Sequence, residues 1–468
     1  MSTTRPNILW IYIEDQDPRY SCYGEPLVNT PNIDSLADQG VLFERAYSPA
    51  PVCSPSRSGI LTGTYPIRTG THVQRSSRFP GEEIYLPEGM KTVPELFREA
   101  GYFTFNRGKD DYNFDYNRSK LYSTGNDRED PGANKGVKAG GGHWSECPAD
   151  MPFFAQMQTN GGKNGYSLEA AGKMLNRLGQ EKPTLVDPAD VTVPPQYPDT
   201  LEMRKLIAAQ LTTMLISDIE VGNMIDSLKE GGHWGNTIIF LLSDHGAYFP
   251  RAKQMCYEEG LHIPLIIAAP DMDNLQDLIP PGQRRREQTA LLDVTATTLA
   301  LADVAIPDTM DSVNLFEPDC RRELVFAARD RCEWVADRTR TVIGERYRYL
   351  KNYMTDRPLA QHNYRSVWPS FVEIEQMYQR GELTPAQALP YGPRPAEELY
   401  DLLEDPHELV NLADDPEHQG ILQELRQALE DWVTETDDKG QYPEQPAALK
   451  FTKLMFPAQC TDPLFDDV

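Results

Sequence analysis

Cys53, Pro55 and Arg57 occupy alternate positions in the run Tyr47–His72, YSPAPVCSPSRSGILTGTYPIRTGTH. Pro55 suits the first turn of a helix, where the N–H it lacks would have no partner in any case. That placement puts Cys53 at the helix N-terminus, where free backbone N–H groups and the helix dipole favour negative charge. Ile60 and Leu61 anchor the segment, and Gly63 stops it. The chemistry implied is attack by the side chain at position 53 on an anionic centre beside the Arg57 guanidinium.

Two further clusters carry ligating atoms. Glu14 and Asp15 follow the apolar run Pro6–Ile13, and Asp244 and His245 follow Thr237–Leu242. Both runs read as strands buried on both faces, and open α/β sheets bind ligands beyond the carboxyl ends of their strands. Two chain-distant strands therefore bring four ligand-capable side chains to one edge, which predicts a metal site. Carboxylates suit Ca²⁺ or Mg²⁺, and an imidazole among them also admits Mn²⁺.

The elements that must position these groups alternate between strand and helix. Strands are predicted at Val41–Ala46, Tyr102–Phe105, Pro152–Gln158 and Ile263–Ala268. Thr92 with Glu95 makes a capping box for a short helix, and Asp199 or Thr200 caps a long one that ends at Gly231-Gly232. Asn126–Gly142 reads as a long loop. Beyond about Asp319 the pattern becomes one of alternating strands, at Glu323–Ala328, Arg338–Ile343 and Tyr347–Tyr353, with a final helix over Ile421–Glu435.

Composition narrows the partners. The 468 residues exceed one ordinary core, and a formal charge of −26 argues against nucleic acid or an anionic membrane. Any anion site must then be a local basic pocket. The seven cysteines (22, 53, 147, 256, 320, 332 and 460) lack metal-site or disulfide-framework spacing. The N-terminal apolar run is too short and too soon acidic for a signal peptide, so a cytoplasmic location is expected, or a periplasmic one if the N-terminus was trimmed.

Leu61-Thr62-Gly63 and Tyr65-Pro66-Ile67-Arg68 follow the Cys-x-Pro-x-Arg core. On these residues the sequence resembles the formylglycine-dependent sulfatases of the alkaline phosphatase superfamily. The likeness continues through the acid-ended first strand, Gly108-Lys109, Ser243-Asp244-His245-Gly246 and the tail Asp405-Pro406, Glu408, Asn411-Leu412. It implies an α/β fold, a large mixed β-sheet flanked by helices, over 1–320, with a smaller C-terminal α+β domain over 321–468. It implies oxidation of Cys53 to Cα-formylglycine by a maturation enzyme, and a divalent cation, usually Ca²⁺, on Glu14, Asp15, Asp244 and His245. Lys109 would contact the formylglycine and the sulfate, and Lys253 the sulfate. Asp111 stands where the family often has a histidine; it serves as the base or pairs with Lys109. Lys163 follows the strand that usually leads to a sulfate-contacting histidine and could take over its cationic role.

His262 is the first choice for the general acid. His72 and Arg75 are candidates for the pocket rim, and Arg329, in the run Arg329-Asp330-Arg331, for substrate contact. The activity implied is hydrolysis of a sulfate ester: one hydroxyl of the hydrated formylglycine attacks sulfur, and loss of the proton from the other expels sulfate by C–O cleavage. A sulfated carbohydrate or oligosaccharide is the first substrate expected, and a small aryl or alkyl sulfate the second. The rivals are a phosphonate monoester hydrolase or phosphodiesterase of the same superfamily, and a non-catalytic binder of sulfated sugars with an unmodified Cys53.

Overall fold

The computed structural model describes residues 5–76, 83–125, 139–162, 167–180, 184–318 and 321–468. Lys163 and residues 126–138 of the expected loop lie outside them.

Nine strands form the large sheet: β1 (Asn7–Ile13), β2 (Gly40–Tyr47), β3 (Phe103–Lys109), β4 (Ala139–Gly140), β5 (Phe153–Gln158), β6 (Thr237–Ser243), β7 (His262–Ala268), β8 (Gln283–Arg285) and β9 (Thr289–Ala290). Their order is β4-β3-β5-β1-β6-β7-β2-β8, with β9 paired to β2. β3, β5, β1 and β6 run parallel, whereas β7 is antiparallel to both β6 and β2. Two reversals restore direction, so β2 points the same way as β1 and β6. The carboxyl ends of β1, β2, β3 and β6 therefore share one edge.

The unbroken apolar reading of β1 has a direct cause. Leu9, Ile11 and Ile13 face one core with the helix Leu201–Glu230, while Ile8, Trp10 and Tyr12 face another with the helices Val93–Glu99 and Asp293–Leu301. Each fully buried aliphatic side chain contributes roughly 1.5–3 kcal/mol. The long helix is capped by Thr200, whose hydroxyl accepts from the Met203 N–H, and the Thr92–Glu95 capping box forms as expected.

The second sheet is antiparallel, in the order β10 (Val325–Arg329), β11 (Thr339–Ile343), β12 (Tyr347–Asn352), β13 (Glu397–Asp401). Leu422, Leu425, Leu429 and Trp432 of the helix Gln419–Glu435 pack on it, joined by Tyr65 and Ile67 from the large domain. The Tyr-Pro run after the Cys53 helix is thus a dock between the sheets, with the Tyr65 and Trp432 rings 5.1 Å apart. The tail motif is structural too. Asn411 accepts from the Leu399 N–H, and buried Glu408 receives Arg348 at 2.8 Å. The helix Gln419–Glu435 is not the last one: Pro446–Met455 forms another.

Candidate active site

The helix Cys53–Thr62 starts at Cys53, with Val52 extended before it. All ten of its residues are buried, and it ends on Gly63 at φ 65°. A Cβ on Gly63 would also sit 2.7 Å from Ser312 Oγ, so the stop needs glycine. The register of β1 and β6 pairs Ile13 with Ser243, which sets Glu14 and Asp15 beside Asp244 and His245. Gly162 lets the turn after β5 close on this edge, since a Cβ there would lie 1.4 Å from the Glu14 carbonyl oxygen.

The side chains converge. Cys53 Sγ lies 3.3 Å from His245 Nε2, 3.8 Å from Asp15 Oδ1 and 3.7 Å from Lys253 Nζ. Arg57 bridges Asp244 Oδ2 at 2.9 Å and Glu14 Oε1 at 2.6 Å, with its guanidinium over the Tyr12 ring. Lys109 reaches Glu14 at 3.2 Å and Asp111 at 2.9 Å, and Lys253 reaches Asp15 Oδ2 at 2.6 Å. A cavity of about 900 Å³ opens over Cys53, Glu14, Asp15, Lys109, Asp111 and Lys253.

Burial works to raise the Cys53 thiol, but Lys109 and then Lys253 outweigh it and bring the group down to about 6. The field at position 53 therefore favours negative charge, the sign of a sulfate oxygen arriving there. Burial opposes ionisation of Asp15, yet Lys253 and His245 hold its carboxyl well below the usual range. His245 is pushed up to about 9 by Asp244 and Asp15, against its burial.

These numbers bear on a cation. Glu14, Asp15, Asp111 and Asp244 meet Arg57, Lys109 and Lys253 around His245. His245 Nδ1 lies 2.9 Å from the Gly246 carbonyl and can donate to it, which turns the Nε2 lone pair toward Cys53 and Asp15. Ligating atoms of Asp15, Cys53 and His245 lie within 4.8 Å of one another, and Asp244 Oδ1 is 3.9 Å from Nε2. The set fits a divalent cation, whose charge would supply what the elevated His245 now supplies by holding a proton.

The sulfatase family model matches residues 6–304, which covers the Cys53 helix and both acid-ended strands. The chain belongs to the sulfatase family. It is 30% identical to an ulvan-active sulfatase of Formosa agariphila over 94% of this chain and 76% of that one. A solved 2-O GAG sulfatase superposes with a TM-score of 0.65 at 21% identity, covering 95% and 96% of the two chains. The phosphonate monoester hydrolase of Agrobacterium radiobacter shares the fold, with a TM-score of 0.61 at 17% identity over 92% and 96%. The protein is a sulfuric ester hydrolase of the alkaline phosphatase superfamily.

Three expected site residues of this sulfatase stand elsewhere. His262 begins β7 but does not line the cavity. Its Nε2 lies 2.8 Å from the Glu44 carbonyl and its Nδ1 3.1 Å from Glu258, so neither nitrogen is left to serve as the general acid. Arg329 is buried and paired with Asp337 at 2.9 Å, away from the cavity. His72 is half-buried beside Asp330 and Arg340 and does not line the cavity.

Other residues do line it: Arg75, Arg107, His143, Trp334, Tyr364 and Trp368. Arg75, which closely follows the Cys53 helix, is the one among them that spacing pointed to. The rest have no motif, and Tyr364 and Trp368 come from the connection between β12 and β13.

Proposed function

We propose that this sulfatase removes sulfate from a sulfated carbohydrate, with position 53 acting as Cα-formylglycine and a divalent cation, Ca²⁺ first, held by Glu14, Asp15, Asp244 and His245. The observation that carries the reading is the meeting of Cys53, at a helix N-terminus, with Asp15 and Lys253 at the floor of one cavity and with buried His245 3.3 Å from its sulfur. Once present, the two groups would supply a hydrated aldehyde as nucleophile and a charge that offsets the sulfate oxygens.

The chain's own residues divide the remaining work. Lys253 and Lys109 face the cavity and bind the sulfate oxygens. Arg57 is closed off beneath them and fixes the rotamers of Glu14 and Asp244 through its two ion pairs. The proton for the leaving alcohol must come from a cavity-facing group, and Lys109, Lys253, His143 and Tyr364 carry one. Asp111 is bound to Lys109 at 2.9 Å, which supports the pairing reading of that residue. Carbohydrate is favoured because the ulvan-active and 2-O GAG sulfatases act on saccharides and because indole and phenol rings wall the cavity.

Mass spectrometry of the tryptic peptide Ala46–Arg57, from a host with the maturation enzyme, should show aldehyde in place of thiol. Sulfate release from a panel of sulfated oligosaccharides should then exceed turnover of an aryl phosphodiester. The reverse preference would move the protein to the phosphonate monoester hydrolase reading. An intact thiol from a competent host, with saccharide binding and no turnover, would make it a binder. Chelation should abolish turnover, and Ca²⁺ should restore it.

A further inference from the structure

Four non-glycine residues on the cavity wall hold left-handed backbone conformations: Asp15, Asp111, Arg75 at φ 59° and Glu333 at φ 54°, and only the last two are not aspartate. Side chains other than glycine, asparagine and aspartate rarely adopt this region, and such strain persists only where the surroundings impose it. Here both sides are clamped. Gln74 and Cys332 form a parallel β-bridge, in which the Gln74 N–H donates to the Arg331 carbonyl at 3.2 Å. The Arg75 N–H donates to Ser54 Oγ at 3.1 Å, one residue from Cys53, and Arg331 donates to the Glu333 carbonyl.

The clamp brings the two side chains together across the two sheets. Arg75 and Glu333 pair at 2.5 Å, with the carboxylate 8% and the guanidinium 25% exposed. Arg75 Nε is buried and has no hydrogen-bond partner among the described residues. Trp334, the next residue, also lines the cavity; it donates to the His362 carbonyl at 2.9 Å, and its ring lies 4.8 Å from that of Phe456.

A guanidinium fork beside a carboxylate, flanked by an indole, offers donors, acceptors and an apolar face within one wall. A pyranose bearing adjacent hydroxyls has the matching pattern, one hydroxyl donating to the carboxylate while a neighbouring oxygen accepts from arginine, with the C–H face on the indole. We propose that Arg75 and Glu333 are a specificity pair that binds hydroxyls of the sugar ring carrying the sulfate ester. The proposal rests on the carbohydrate-sulfatase reading above.

The test is Glu333→Gln in the matured enzyme, assayed on an active sulfated saccharide and on a small aryl sulfate without hydroxyls. The saccharide kcat/KM should fall about 10- to 100-fold, mostly through KM, and the aryl sulfate value by less than about threefold. A deoxy saccharide lacking the hydroxyl beside the ester should lose a similar factor in the wild type and nothing further in Glu333→Gln. Equal losses on both substrates would make the pair a latch between the sheets and overturn the proposal alone. A gain on the saccharide would mean that Glu333 repels an anionic ring, and would overturn it too. Wild-type enzyme that desulfates the aryl ester and no saccharide would overturn the carbohydrate reading and the pair together.

Discussion

At the carboxyl edge of the large sheet, Glu14, Asp15, Asp111 and Asp244 share Arg57, Lys109 and Lys253. Around β11 of the small sheet, Asp330, Asp337 and Asp438 share Arg329, Arg338, Arg340 and Arg394. Both groups are dense and largely buried, and both use arginine to bridge two acids. They differ in access. The first opens onto a cavity through Glu14, Asp15, Lys109, Asp111 and Lys253, whereas none of the second's members lines it. Burying charge is costly wherever it occurs. In the second cluster the ion pairs hold the small sheet to Asp438 beyond its packed helix. In the first, the open face leaves room for a cation and an anionic ester.

That contrast breaks most sharply on activity. Cys53→Ala should lower turnover by at least about 10⁴-fold, the scale of losing a nucleophile, while leaving the thermal unfolding temperature nearly unchanged; a residual rate within tenfold of wild type would remove position 53 from the chemistry. Arg340→Met should do the opposite. Its guanidinium is fully buried and bonds Asp438 and Asp330 at 2.8 and 3.0 Å, so unpairing them should cost about 3–5 kcal/mol in denaturant unfolding, with kcat/KM per folded molecule preserved. If Arg340→Met instead abolished turnover in folded protein, the second cluster would belong to the site. Lys253→Ala comes next, with an expected fall of about 10²- to 10³-fold in kcat, typical of removing one donor to a charged transition state.

Legibility in the sequence followed the same division. The strand ends could be read because β1 and β6 are apolar on both faces and stop abruptly at acids, a pattern with few alternatives. The Cys53 helix could be read because Pro55 and Gly63 mark its two ends. Arg329 misled because nothing near it in the chain announces Asp337 as its partner across the β10–β11 connection, and an arginine between strands looks the same whether it faces substrate or core. His262 misled likewise, since its partners are the Glu44 carbonyl, from a neighbouring strand, and Glu258 one turn back. Trp334, Tyr364 and Trp368 reach the cavity from loops whose paths depend on the packing of two sheets, and no spacing encodes that. The helix Pro446–Met455 did carry a signal, Pro446 at its first position.

The smallest expected effect sharpens the comparison through pH. Burial alone would raise Asp438, but Arg340 and then Arg338 outweigh it and hold the carboxyl down to about 2. An unfolded aspartate titrates near 3.9. A depressed folded value means that the group's contribution to stability is present above the unfolded value and is lost as pH falls through the folded one, so the window runs from about pH 4 down to about pH 2. The full contribution is on the order of 2 kcal/mol. Asp438→Asn should therefore lower stability at neutral pH and flatten the acid limb of the unfolding free energy across that window, read from urea midpoints at successive pH values. The wild-type and variant curves should converge near pH 2. Parallel curves over the whole range would show that Asp438 carries no charge-dependent part of the small sheet's stability, and the contrast between a structural and a catalytic cluster would fail on its structural side.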